Sequence, residues 1–156
     1  MEIDYEGNEI LFSNIKLSNN SKENVLELIN CEEFKNIFLE NGITNVIIFG
    51  SLANGDFSEE SDIDIAVIGN KKIDFDVELK ITLKIEKLLD RNIDIIDIID
   101  INDNNINNII KIEVLRSNMI ILSDIVLEDT LYKFEKLYRE NEEFWYLLDK
   151  EVLDSE

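Results

Sequence analysis

Two short apolar runs constrain the fold of this chain more than any other feature. Val46-Ile47-Ile48-Phe49 stops at Gly50, and Ile63, Ile65, Ala66, Val67 and Ile68 are closed by Gly69-Asn70. Runs this short and this apolar, bounded by glycine, read as strands buried in a sheet. A sheet buried in this way must be covered by other elements. Ile93 to Ile99 predicts a third strand and Met119 to Leu122 a short further one. The helices that would cover them are also legible. Ser21 with Asn24 precedes Val25, Leu26, Ile29, Phe34, Ile37 and Phe38, which predicts one helix or two joined ones ending at Asn41-Gly42. Ile106 to Arg116 reads as helical. Residues 127–150 form a long final helix, with Leu131, Phe134, Tyr138, Trp145 and Leu148 near one face.

Residues 73–89 carry two signals at once. Ile73, Phe75, Val77, Leu79, Ile81, Leu83 and Ile85 alternate with polar residues as in a strand, while Val77, Ile81, Ile85 and Leu88 form a helical stripe. Helix is predicted, because no turn residue interrupts the run, the Glu/Leu/Lys content favours it, and a strand this long would be unusual. The expected class is α/β (α+β): a small mixed β-sheet packed with helices, with a long C-terminal helix.

At 156 residues with 45% apolar content, the chain is sized for one domain with a substantial core. No proline-rich or Gly/Ser-rich linker divides it, so residues 21–156 are expected to form a single domain. Residues 1–20 are either a hairpin turning at Gly7-Asn8 or an N-terminal extension. The chain has no histidine, which excludes a Ser-His-Asp or Cys-His nucleophile, a histidine metal site and a histidine-dependent ribonuclease centre within it. The lone Cys31 excludes an internal disulfide and fits a reducing compartment. The acidic start is unlike a secretory signal and no long apolar run follows it, so a cytoplasmic protein without membrane attachment is expected. A net charge of −20 leaves no basic stripe for nucleic acid. It leaves open an enzyme that holds anions through divalent metals, or a partner for a basic protein.

The chemistry points to Gly50-Ser51-Leu52-Ala53-Asn54-Gly55 and Ser61-Asp62-Ile63-Asp64. Gly50 ends a strand and, lacking a Cβ, lets a phosphate approach the backbone. Ser51 offers a hydroxyl and an amide to an anion. Asp62 and Asp64, two apart at the mouth of a strand, share a face. Unliganded they repel each other, and a hard cation such as Mg²⁺ relieves that repulsion. A third acid is needed to hold two metals or to activate a hydroxyl, and Asp94 on the following strand is the natural candidate.

Gly50-Ser51, ten residues, then Asp62-Ile63-Asp64, resembles the signature of the DNA polymerase beta-like nucleotidyltransferases. Phe49, Ala53-x-Gly55, Ser61 and Asp94 within Ile93-Asp94-Ile95-Ile96-Asp97 agree with their minimal members. The segment Glu113 to Asp124 and the long final helix further resemble the MntA-type antitoxins, which pair with HEPN toxins. The likeness runs over roughly residues 22 to 150. It implies the nucleotidyltransferase fold and Mg²⁺-dependent transfer of AMP from ATP to a hydroxyl. In the antitoxin branch the acceptor is a tyrosine of the HEPN-type toxin. It also implies that Gly50 and Ser51 hold the triphosphate, that Asp62 and Asp64 bind metal, and that Asp94 completes the site. Relatives often carry arginine where this chain has Asn54. Lys71 and Lys72 are the cations that could replace it.

Bland readings stand beside these. Asp62 and Asp64 could be a solvated strand end, Ser51 a turn cap, Asp97 structural, and the aromatics of the final helix core. Two functional alternatives also follow: a non-catalytic antitoxin that acts by binding its toxin, and a nucleotidyltransferase acting on a small molecule such as an antibiotic.

Overall fold

The structure, a computed structural model, describes residues 3–5, 7–9, 20–98, 106–140, 147 and 150. Strands β1 (Ile3–Tyr5) and β2 (Gly7–Glu9) pair antiparallel, with Tyr5 opposite Gly7 and Asp4 opposite Asn8. Gly7 and Asn8 therefore lie inside the second strand rather than at the turn. Helices α1 (Lys22–Ile29) and α2 (Glu32–Leu39) follow. The Ser21 hydroxyl caps α1 by accepting from the Asn24 N–H at 3.2 Å. Gly42 ends the pair at φ +76°, a conformation glycine adopts without cost.

The main sheet has four strands: β3 (Val46–Phe49), β4 (Ile63–Ile68), β5 (Ile93–Ile98) and β6 (Met119–Leu122). Their order is β5-β4-β3-β6. β3 runs antiparallel to β4 and to β6, whereas β4 and β5 are parallel. The parallel pair needs a long crossover, and α4 (Phe75–Leu89) supplies it. The remaining elements are the single turn α3 (Ser51–Asn54), α5 (Asn108–Leu115) and α6 (Ile125–Glu140). The mixed α/β class read from sequence is the one observed. The final helix starts two residues earlier than its periodicity indicates, and Trp145 and Leu148 lie outside the described residues, as does Ile99 of the third strand.

Alternation along the strands sorts the sheet into two cores. Val46, Ile48, Ile63, Ile65, Val67 and Ile93 pack with Val25, Ile29, Phe34, Phe38, Ile81, Ile85 and Leu89, so α1, α2 and α4 cover one face. Ile47, Phe49, Ala66, Ile68 and Ile98 pack with Val114 and Leu127, so α5 and α6 cover the other. The double signal over residues 73–89 has a simple origin. Ile81, Ile85 and Leu89 form the buried stripe of α4, and Phe75, Leu79 and Leu83 form a second, exposed stripe. Two apolar stripes on opposite sides of one helix, offset by two residues, imitate the period of a strand. At the far end of β3, buried Asn45 donates to the Ile68 carbonyl at 3.1 Å and accepts from the Asp124 N–H at 2.7 Å. One amide thus ties β3, β4 and the start of α6 together.

Candidate active site

Every residue of β4 is buried except Asp64. Its register explains why a carboxylate sits there. Asp64 lies opposite Phe49, the last residue of β3, and opposite Asp94 on β5. In-register neighbours share a face, so Asp64 and Asp94 stand side by side at one end of the sheet. Asp62 lies just before β4, at the end where that face begins, and its charge acts on Asp64. The face is the one that carries Ala66 and Ile68, covered by α5 and α6. The structure therefore gathers the three predicted aspartates at one end of the sheet. Asp62 and Asp94 are exposed and Asp64 is half-buried.

Gly50 stands at the centre of this end with φ +74° and ψ −149°, a backbone state open to glycine and strained for any other residue. A Cβ placed on it would fall 2.2 Å from Asp64 Oδ2. The space above Gly50 is thus filled by the Asp64 carboxylate. The structure gives a reason for the glycine that sequence reasoning did not reach, the close approach of Asp64. Ser51 follows at once as the first residue of α3, half-buried beside the corner. Its carbonyl accepts from the Gly55 and Asp56 amides and closes the turn. Gly55, at φ +96°, ends it.

The acids are electrostatically coupled. Asp64 is raised to about 6, first by burial, then by the charges of Asp94, Asp62 and Glu113. Glu113, half-buried on α5, is a fourth acid that sequence reading missed. Its spacing carries no signal, because only the packing of α5 on this face brings it near Asp64. Among the described residues no group of three acids, histidines or cysteines is close enough to hold an ion as it stands. The donor set nonetheless fits a hard divalent cation: all its atoms are carboxylate oxygens, and two of the acids are locked in register.

The coupling predicts a stability effect. A carboxyl whose pKa is about 6 folded and near 3.8 unfolded favours the native state while it is protonated. That contribution is complete below pH 4 and is lost as pH rises through 6. Asp64→Asn is therefore expected to stabilise the metal-free protein at pH 7.5. The gain is on the order of 1 kcal/mol, discounted because the carboxyl is half exposed and water screens it. Urea denaturation in chelator should show the gain shrinking to nothing near pH 4. A variant less stable than the parent at pH 7.5 would contradict the electrostatic picture.

Other sequence expectations fall differently. Lys71 and Lys72 lie past the C-terminal end of β4, on the rim of a 590 Å³ cleft with Asn45, Asp97 and Asp124. The four-residue rise from Asp64 to Ile68, at about 3.3 Å per residue, puts them past the opposite end of the strand, beyond roughly 13 Å from Asp64. They cannot replace the cation missing at Asn54, and the cleft is not the acidic site. Asn54 is exposed and accepts from the Asp56 N–H at 3.1 Å, a turn-closing bond. Asp97 is structural: its Oδ2 accepts from the Ile73 N–H at 2.7 Å. No described helix is long and apolar enough to cross a membrane.

Comparisons with known proteins agree with this fold. The family model described as "Polymerase beta, Nucleotidyltransferase" matches residues 32–124, a span that contains Gly50, Asp62, Asp64, Asp94 and Glu113. The curated "Putative protein adenylyltransferase MJ0604" of Methanocaldococcus jannaschii is 37% identical over 67 residues, 42% of this chain and 64% of that relative. The chain thus spans just under two thirds of its length. "Putative protein adenylyltransferase MJ1547" of the same organism is 28% identical over 101 residues, 64% of this chain and 73% of that protein. Among solved structures, a mutant toxin–antitoxin MntA–HpeT crystal structure superposes with a TM-score of 0.55 at 17% identity, covering 78% of this chain and 96% of the other. A toxin–antitoxin crystal structure with AMP-PNP gives 0.50 at 17% identity, with 80% and 94% covered. At such identities these two likenesses speak to the fold.

Proposed function

The chain belongs to the polymerase beta nucleotidyltransferase family, and from that premise we propose that it transfers AMP from ATP to a hydroxyl, a tyrosine of a cognate HEPN-type toxin, and thereby acts as an antitoxin. The observation that carries this reading is the juxtaposition of Asp64 with Asp94 across the parallel β4–β5 pair, beside the Gly50 corner. The adenylyltransferase names of the two curated relatives support AMP as the transferred group. The toxin–antitoxin neighbours support the kind of partner.

In this reading Asp62 and Asp64 hold Mg²⁺, with Asp94 completing the set, and Gly50 and Ser51 frame the triphosphate. When bound, the cation neutralises the phosphate oxygens and stabilises the charge that develops during displacement at phosphorus. The acceptor oxygen forms a bond to the α-phosphorus while the α–β bridging bond breaks. Pyrophosphate leaves, and the hydroxyl proton passes to a carboxylate, for which Asp94 is well placed at the exposed edge. The aspartates draw the cation in, and the shallow setting of Asp62 and Asp94 leaves room for an acceptor presented by a second protein.

The test is mass spectrometry of a candidate HEPN-type toxin partner after co-incubation with this chain, ATP and Mg²⁺. One or more added adenylates on a tyrosine are expected, and their loss when chelator is present. A tight complex that silences the toxin with no adenylate attached would replace this reading with the binding-only antitoxin. Labelling of a small molecule instead of the toxin would replace it with the third alternative.

A further inference from the structure

Asp62 lies just before β4, so strand pairing alone does not fix it. Two bonds do, one on each side. The Ile63 N–H donates to the Asn92 carbonyl at 3.0 Å. The carbonyl of Ser61, on the peptide that joins it to Asp62, accepts from Arg91 Nη2 at 2.5 Å. Arg91 is only 3% exposed. The same Nη2 donates to the Ser58 carbonyl at 2.7 Å, and Nη1 donates to the Asn20 carbonyl at 2.9 Å. The guanidinium also lies 4.1 Å from the centre of the Phe57 ring. Burying an arginine on three backbone carbonyls is costly unless the fork is well used. Its Nε finds no partner among the described residues, and burial pushes its pKa below the ordinary arginine value, with Asp62 and Glu59 acting in the opposite sense.

What the planar fork of Arg91 does, and an apolar residue could not, is hold both ends of the Ser58–Ser61 turn. That turn is itself closed by the Ser61 N–H donating to the Ser58 carbonyl and the Ser58 N–H donating to Ser61 Oγ. Arg91 and Asn92 immediately precede β5, the strand that carries Asp94. The geometry points to Arg91 as the positioning residue of the acidic site: it locks the Ser61–Asp62 peptide to the root of β5, so that Asp62 is aimed at the cation Asp64 and Asp94 would share. This rests on the reading of Asp62 as a metal ligand.

The test is Mn²⁺ binding to the full chain, followed by electron paramagnetic resonance and counting only the tight phase that Asp64→Asn removes. Arg91→Lys keeps the charge and loses the fork. It is expected to weaken that phase about tenfold while the protein remains folded by circular dichroism. In the Asp62→Asn background the same substitution should change nothing further, because Arg91 acts through Asp62. A merely structural arginine would lower the urea midpoint in both backgrounds and leave Mn²⁺ affinity alone. Phe57→Leu removes the ring under the guanidinium and should weaken binding about threefold, which serves if Arg91→Lys does not fold. Parental affinity in Arg91→Lys, or equal losses with and without Asp62, overturns the assignment of Arg91 alone. A parent with no tight Mn²⁺ phase overturns the metal-ligand reading of Asp62 as well.

Discussion

Asp62→Asn and Asp64→Asn are each expected to lower the proposed AMP transfer by about a thousandfold or more. Each removes a charged oxygen from the place where the triphosphate's charge must be balanced, a contribution of several kcal/mol to the transition state. At about 1.4 kcal/mol per decade of rate, that is three orders of magnitude. The fold should survive both changes, because Asp62 is exposed and Asp64 is under electrostatic stress rather than stabilising the core. The measurement is incorporation of label from α-³²P-ATP into the proposed toxin partner, with circular dichroism as the check on folding. Asp64→Asn combines opposite effects: more stable in the absence of metal, and inactive. A merely misfolded variant could not show both. Robust labelling by either variant would sink the catalytic account.

Gly50→Ala is expected to cost at least a hundredfold in transfer and about 2–4 kcal/mol in stability, the range for strain at a special backbone position together with overpacking. Two independent causes act at this one atom. The backbone at φ +74° is strained for alanine, and the new methyl would sit 2.2 Å from Asp64 Oδ2. The clash partner is the end of a side chain, so Asp64 can swing away, and that movement takes the carboxylate out of the site. The double variant Gly50→Ala/Asp64→Ala separates the two causes. Shortening Asp64 removes its Oδ2 and γ-carbon from the contact, so part of the stability should return while activity stays absent. Urea melts of the four proteins measure this, and a Gly50→Ala protein as stable and as active as the parent would show that the corner tolerates a side chain.

The acids were legible to different depths. Asp62 and Asp64 stand out because period two is written into adjacent residues. Asp94 was found as a candidate, among Asp90, Asp97 and Asp100, through family likeness and its place on the next strand. Its pairing with Asp64 depends on the register of a parallel pair separated by α4. Glu113 and Arg91 were not legible as parts of this site. The first owes its role to α5 packing on one face of the sheet. The second acts on backbone carbonyls, which leave no mark in a side-chain pattern. Lys71 and Lys72 misled for a related reason: nearness in sequence to Asp64 becomes distance in space once β4 runs straight between them.

What the sequence determined by itself is the set of elements and the positions of the acids along them. Helix and strand periods, Ser21 as a cap and Gly42 and Gly50 as stops are local codes, readable within a few residues. Only the tertiary structure decided which acids meet, why Gly50 must be glycine, and what aims Asp62. Those outcomes depend on strand order β5-β4-β3-β6 and on which helices cover each face. The physical reason is that local periodicity governs where a side chain points from its own element, whereas the charges and walls it meets come from segments distant in the chain.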